Sequence, residues 1–260
     1  MLLAVDIGNL QVGLGVYDGR EWRGRFRIRA VPEKTADEYT VLLEGLFSRV
    51  GISPRKISGA VIASVVPPLT ETFGKLCKGS FGITALVVGP GVRTGLELRV
   101  DHPSEVGPDL VADAVAAYER CRSACIAVDF ATATTFTCVN EKGALVGVSI
   151  APGLKVAAEA LAQRAAKLPK IPLTPPRRAI GKNTQEALQS GVILGGVGMV
   201  EGLIRALSAE LGGNARVIAT GPYAEPIVGL TELIHEHDPW LTLEGLRIIA
   251  ERNRYPPAPR

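Results

Sequence analysis

The sequence is short of the residues on which several kinds of chemistry depend. Aromatic side chains make up 5% of its 260 residues, and its formal net charge is only +3. A nucleic-acid surface, with concentrated basic residues interleaved with stacking aromatics, is therefore not expected. The denser basic group at Arg177, Arg178 and Lys182 reads as a solvated loop. Three histidines (102, 235 and 237) are too few and too scattered for a metal cluster, although His235 and His237 share one face if that stretch is a strand. Four cysteines (77, 121, 125 and 138) form no paired C-x-x-C elements, and Cys121 with Cys125 reads as two small buried residues. No uninterrupted apolar run approaches the roughly 18 to 20 residues of a membrane span. The N-terminus has no basic region followed by a signal-like core, so a cytoplasmic location without a membrane partner is expected.

What is present is the composition of a globular protein, 47% hydrophobic and 21% charged. The length suffices for one large domain or two modest ones. The chain is organised around Val5-Asp6-Ile7-Gly8-Asn9. Leu2 to Val5 is a short apolar run, Asp6 ends it, Gly8 and Asn9 are turn residues, and Val12, Leu14 and Val16 resume an alternating pattern. An Asp at a strand end beside such a turn can face a cation or a phosphate, which Gly lets the backbone approach. The plainer alternative is a turn whose Asp and Asn bond their own backbone. A second strand, Asp, small-residue turn and strand follows at Ala124 to Val128, Asp129, Thr132 to Thr135 and Phe136 to Val139, placing the two Asp residues 123 positions apart. The echo suggests two related half-molecules, residues 1–115 and 116–260.

Between these landmarks, Trp22 to Arg29 completes a meander, and Thr35 can cap a helix running to about Val50 and closed by Gly51. Gly59 to Val66 reads as a buried strand stopped by Pro67-Pro68, Leu69 to Cys77 as a helix, and Ala85 to Val88 as a strand ended by Gly89-Pro90-Gly91. Gly107-Pro108-Asp109 opens a further helix. Asp109 is either a favourable charge at the helix start or a general base aimed into a cleft. Gly143 to Ile150 is read as a strand, Pro152-Gly153 to Arg164 as a helix, and the proline-rich stretch from Lys167 to Lys182 as a loop. Thr184 can cap a long helix in which Gly191, Gly195, Gly198 and Gly202 line one face, pointing to a close helix contact within the chain or between two copies. Arg216 to Thr220 reads as a strand, Leu241 to Arg252 as the last helix, and the tail from Pro256 as loose. Strands and helices alternating after a meander predict an α/β fold with mixed sheets flanked by helices.

Taken in order, Asp6-Ile7-Gly8-Asn9, Val65-Val66-Pro67-Pro68, Gly89-Pro90-Gly91 with Thr94-Gly95, Gly107 to Asp109, Asp129 to Thr135, Arg164 to Pro169 and Gly181 to Thr184 resemble the type III pantothenate kinases. The resemblance runs from about residue 2 to about residue 253. It implies a duplicated ribonuclease-H-like (actin-like ATPase) fold, two domains around an ATP-binding cleft, and a homodimer. It also implies phosphorylation of pantothenate to 4′-phosphopantothenate, the first step of coenzyme A biosynthesis. Asp6, Ile7, Gly8, Asn9, Leu10, Gln11, Val12 and Gly13 match the family's phosphate-binding segment, with Asp6 near Mg²⁺, and Thr132 matches an ATP contact. Asp129 matches the holder of a monovalent cation, K⁺ or NH₄⁺. Asp109 matches the catalytic base, and Val100, Gly107, Pro108, Asp109, Leu110 and Thr184 match positions that contact pantothenate.

Several departures fall on this set. Leu10 stands where the family has Thr, Ala131 where it has Gly and Leu110 where it has Arg; Val100, Asp113 and Pro222 replace Tyr, Asn and Gly. Leu110 cannot hold a carboxylate as Arg does. Two alternatives stay open: a catalytically weak or inactive relative with a nucleotide-binding or regulatory role, and a kinase for another small hydroxyl substrate. A Rossmann dehydrogenase is disfavoured, because no G-x-G-x-x-G follows a strand.

Overall fold

The computed structural model describes residues 1–255, so the tail from Pro256 lies outside the described residues. The chain divides into two compact units.

The first unit comprises Met1–Gly95, Asp101–Ala116 and the chain from Thr242. Its sheet contains β1 (Leu2–Ile7), β2 (Gln11–Tyr17), β3 (Trp22–Arg29), β4 (Gly59–Ser64) and β5 (Leu86–Val87) in the order β3-β2-β1-β4-β5. The first three strands form an antiparallel meander, and β4 and β5 run parallel to β1. Strand alternation divides the side chains between two faces. Leu3, Val5 and Ile7 of β1 join Val12, Leu14 and Val16 of β2 in a core with Tyr39, Leu43 and Phe47 of α1 (Ala36–Arg49) and Leu69, Phe73 and Leu76 of α2 (Pro67–Phe81). A reciprocal capping box between Thr35 and Glu38 starts α1. Pro67 and Pro68 do more than stop β4: they form the first turn of α2, where a missing N–H costs nothing.

The opposite face carries the small residues Ala4, Gly13 and Gly15 together with Asp6, and the last helix, α7 (Leu241–Arg252), lies against it. Trp22 Nε1 donates to Glu244 Oε2 at 3.1 Å, and the Trp22 ring, with Leu243 beside it, fills the space a side chain at Gly15 would need. Gly245 in turn rests its backbone on Ala112 of α3 (Pro108–Cys121), too close for any Cβ.

The second unit comprises Leu96–Val100 and Ala117–Leu241. Its strands are β6 (Glu97–Leu98), β7 (Cys125–Phe130), β8 (Ala133–Val139), β9 (Ala144–Pro152), β10 (Arg216–Thr220) and β11 (Glu236–His237), in the order β11-β10-β7-β8-β9-β6. Read as β9-β8-β7-β10-β11, the sheet repeats the first one strand for strand, with the same senses. β6 is an addition, parallel to β9 at the edge. The division expected at residues 115 and 116 is therefore corrected in two places. α7 goes with the first unit because it buries Leu243 and Gly245 there, and Leu96–Val100 goes with the second because β6 pairs with β9.

The second core gathers Ile126, Val128, Phe130, Phe136 and Cys138 with residues of α4 (Leu154–Arg164) and α5 (Thr184–Glu210). Asn183, rather than Thr184, caps α5: its side chain accepts the Glu186 N–H at 2.9 Å. By length and composition alone this 27-residue helix is apolar enough to cross a membrane. However, Val192, Ile193, Val200 and Ile204 build one side of it into the core. Gly191, Gly195, Gly198 and Gly202 are exposed, and a Cβ at any of them would meet nothing within 4 Å. The close contact expected at these glycines is not made by the described residues. A short helix, α6 (Glu225–Val228), follows β10.

Candidate active site

In the first unit, Asp6 sits within β1, one residue before its end, between Gly13 of β2 and Ala63 of β4. A Cβ at Gly13 would lie 3.6 Å from Asp6 Cβ and Oδ2, so both neighbours leave the carboxylate's surroundings nearly clear of side chains. The Gly8 N–H donates to Gln11 O at 3.0 Å and closes the turn, leaving Asn9 and Leu10 exposed at its tip. Ile7 and Val12 are core residues, so only their backbones are available to a ligand. Gln11 Oε1 is buried without a hydrogen-bond partner.

Asp109 is the second residue of α3, after Pro108. A helix start ordinarily favours the ionised carboxylate, but here burial pushes its pKa above the usual range, opposed by the Leu110 N–H. Its Oδ1 is buried without a partner, and Gly107 lacks the Cβ that would collide with it. Leu110 is buried, and Asp113, one turn further on, is 1% exposed. Because α7 lies on the Asp6 face of the sheet and Gly245 seats α3 at Ala112, Asp109 begins a helix held to that same face.

In the second unit, Asp129 occupies the position in β7 that Asp6 occupies in β1, flanked by Thr135 and Thr220 instead of glycine and alanine. Gly221 follows with φ +95°, and a Cβ there would overlap Asp129 Oδ1 and the backbone of Phe130. The Tyr223 N–H donates to Phe130 O at 3.0 Å and locks this close approach. Ala131 donates to Ala133 O at 2.9 Å across the β7–β8 turn. Arg122 and Arg254 are the non-glycine residues with positive φ among those described, so Ala131 takes its place without that strain. Thr132 is half-buried, and its carbonyl and that of Ala131 fill the space a side chain at Gly153 would need. Pro222 and Tyr223 line a cavity of about 430 Å³ with Lys155 and Lys170. Val100 is half-buried just after β6, and Thr184 is exposed as the first residue of α5.

Among the described residues, no group of three or more His, Cys, Asp or Glu side chains could hold a metal ion. His235 Nδ1 accepts the Val217 N–H at 3.0 Å and is committed to the fold. Gly221 and Gly245 carry more of the architecture than their sequence positions suggest. The one visible sign for Gly245 was a glycine inside an otherwise regular helix.

Two sheets sharing a five-strand order, each with an Asp one residue before the end of its central strand, define an actin-like fold. Solved structures agree with this fold. A Campylobacter jejuni protein described as a Baf family transcriptional activator matches with TM-score 0.61 at 16% identity, over 96% of this chain and 98% of its own. The archaeal actin homolog Ta0583 matches with TM-score 0.53 at 13% identity, over 96% of this chain and 99% of its own. The family model for type III pantothenate kinase matches residues 2–206. The type III pantothenate kinase of Anaeromyxobacter sp. (strain K) is 46% identical over 254 residues, covering 98% of this chain and all of the relative. That of Moorella thermoacetica is 46% identical over 253 residues, covering 97% and 100%. The chain belongs to the type III pantothenate kinase family.

Proposed function

We propose that this chain transfers the γ-phosphoryl group of ATP to the primary hydroxyl of pantothenate, giving 4′-phosphopantothenate and ADP, the first step of coenzyme A biosynthesis. The observation that carries the reading is the buried, proton-avid carboxyl of Asp109 at the start of α3, in a chain alike over nearly its whole length to these kinases. In the proposed step the pantothenate oxygen forms a bond to the γ-phosphorus as the bond to the β-bridging oxygen breaks. Asp109 takes the hydroxyl proton, which its raised pKa suits. Phosphoryl transfer needs positioning and charge neutralisation more than covalent help.

Asp6 and the backbone of Gly8 to Gly13 bind phosphate, and Thr132 contacts ATP. Val100, Gly107 to Leu110 and Thr184 contact pantothenate. Mg²⁺ needs only one or two carboxylates beside substrate phosphates, so Asp6 on its cleared face fits it. Asp129, with two threonines opposite and the room Gly221 leaves, fits a monovalent cation such as K⁺. When bound, these ions offset phosphate charge. The exposed glycine face of α5 supports a homodimer, and the reading places the enzyme in the cytoplasm.

One observation favours a second substrate. Leu110 puts a buried apolar side chain beside the base, which suits a hydroxyl substrate without a carboxylate. The test is ATP-dependent phosphorylation of pantothenate by the purified chain with Mg²⁺ and K⁺, with Asp109→Asn as the blank. Product that depends on Asp109 is expected. Absence of product with pantothenate, alongside turnover of a neutral pantothenate amide, would replace the substrate.

A further inference from the structure

The phosphate-binding segment proposed above, Asp6 to Gly13, contains a carboxylate and no cation, yet its ligand is a polyanion. Beyond any bound ion, a cationic side chain for the phosphates has to come from elsewhere in the fold. Cross-strand register identifies a source. Asp6 lies opposite Gly13, and Gly13 lies opposite Arg27 of β3, so the three residues form a row across one face of the sheet. Neighbouring strands are about 4.8 Å apart, which puts Asp6 and Arg27 about 10 Å apart from Cα to Cα. The residue between them has no side chain, so a long guanidinium side chain can lie over Gly13 and reach the space beside Asp6. Arg29 lies opposite Gln11 in the next row towards the turn, and β3 alternates half-buried residues with exposed arginines throughout. Charged residues on an edge strand also discourage strand pairing. That role would be met by any cation, at any register, and does not require a glycine beside it.

We propose that Arg27 is a phosphate-binding residue, its guanidinium lying over Gly13 to take the terminal phosphates of ATP next to Asp6. The proposal rests on the reading of Asp6 to Gly13 as the phosphate segment. Its geometry also explains the small residue at position 13: a larger side chain would fill the path from β3 to Asp6. Arg suits the task because its planar fork can bind two phosphate oxygens at once.

The test measures AMP, ADP and ATP binding by calorimetry for the wild type, Arg27→Ala and Arg27→Lys, with steady-state kinetics alongside. Arg27→Ala should weaken ATP by about 10- to 100-fold, the scale of a lost charge-assisted bond, and leave AMP within about twofold. Arg27→Lys should recover part of the loss. A variant damaged only in its folding would lose AMP and ATP alike, and that outcome overturns the proposal, as does equal ATP affinity in all three proteins. If the wild type binds ATP but does not phosphorylate pantothenate, the substrate reading fails while the nucleotide series still decides Arg27. If the wild type binds none of the nucleotides, both fail.

Discussion

Replacing Asp109 by Asn keeps the volume and shape of the side chain while removing its ability to accept a proton. The amide oxygen can still receive the Leu110 N–H, so the start of α3 is preserved. Removal of a positioned general base costs about 10²- to 10⁴-fold in rate, or about 3 to 5 kcal/mol in barrier height, and kcat should fall by that factor. ATP binding should be unchanged, because nothing about the Asp6 turn is altered. Burial raises the carboxyl's pKa above its ordinary 3.8, so the acid limb of the wild-type kcat/KM profile should lie above that value and disappear in the variant.

Stability provides an independent readout with a defined sign. A carboxyl whose folded pKa exceeds its unfolded pKa contributes most below the unfolded value and loses that contribution as pH rises through the folded one. Asp109→Asn should therefore stabilise the protein relative to wild type at pH 7, and the difference should shrink towards pH 4 in urea unfolding. Turnover within threefold of wild type would remove Asp109 from the base role. A stability difference independent of pH would refute the argument from burial.

Three further changes test the scaffold and the specificity. Gly221→Ala places a side chain at φ +95° against Asp129 and Phe130; conformational strain of about 1–2 kcal/mol plus the overlap should lower the urea midpoint and weaken activation by K⁺. Gly245→Ala would gain about 1 kcal/mol in an isolated helix, but its Cβ would overlap the backbone of Ala112, so a net loss of about 1–3 kcal/mol is expected and a stabilised variant would contradict the α3–α7 contact. Leu110→Arg should lower the KM for pantothenate while leaving that for ATP unchanged; an unchanged pantothenate KM would shift attention to Leu10.

Much of this architecture was legible in the sequence because it is written locally. The hairpins at Asp6 and Asp129 follow from alternating apolar residues around small turns, and the Thr35 cap and the Pro108 helix start are short-range signals. The assignment of α7 to the first unit was not legible, since it depends on Glu244 meeting Trp22 across more than two hundred residues. β6 was missed because two residues carry no periodicity. Asn183 displaced Thr184 as the cap of α5 because adjacent polar residues compete for one role and only backbone geometry decides. That Ala131 can stand in place of the family's glycine without a positive φ was not legible either, because backbone angle is not written in residue type.

The repeated sheet also sets two equivalent carboxylates in different surroundings. Asp6 and Asp129 hold the same place in the same strand order, but their cross-strand neighbours differ: Gly13 and Ala63 beside one, Thr135 and Thr220 beside the other. Stripping side chains from around Asp6 leaves the space that the proposed phosphate and divalent ion need, and the proposed role of Arg27 would bring charge to it from two strands away. Surrounding Asp129 with hydroxyls offers several neutral oxygens and a single negative charge, which suits a large, weakly hydrated monovalent cation better than a divalent one. The two Asp residues are thus not interchangeable, although their flanking turns look alike. Exchanging their neighbours should move ion preference without moving the strands.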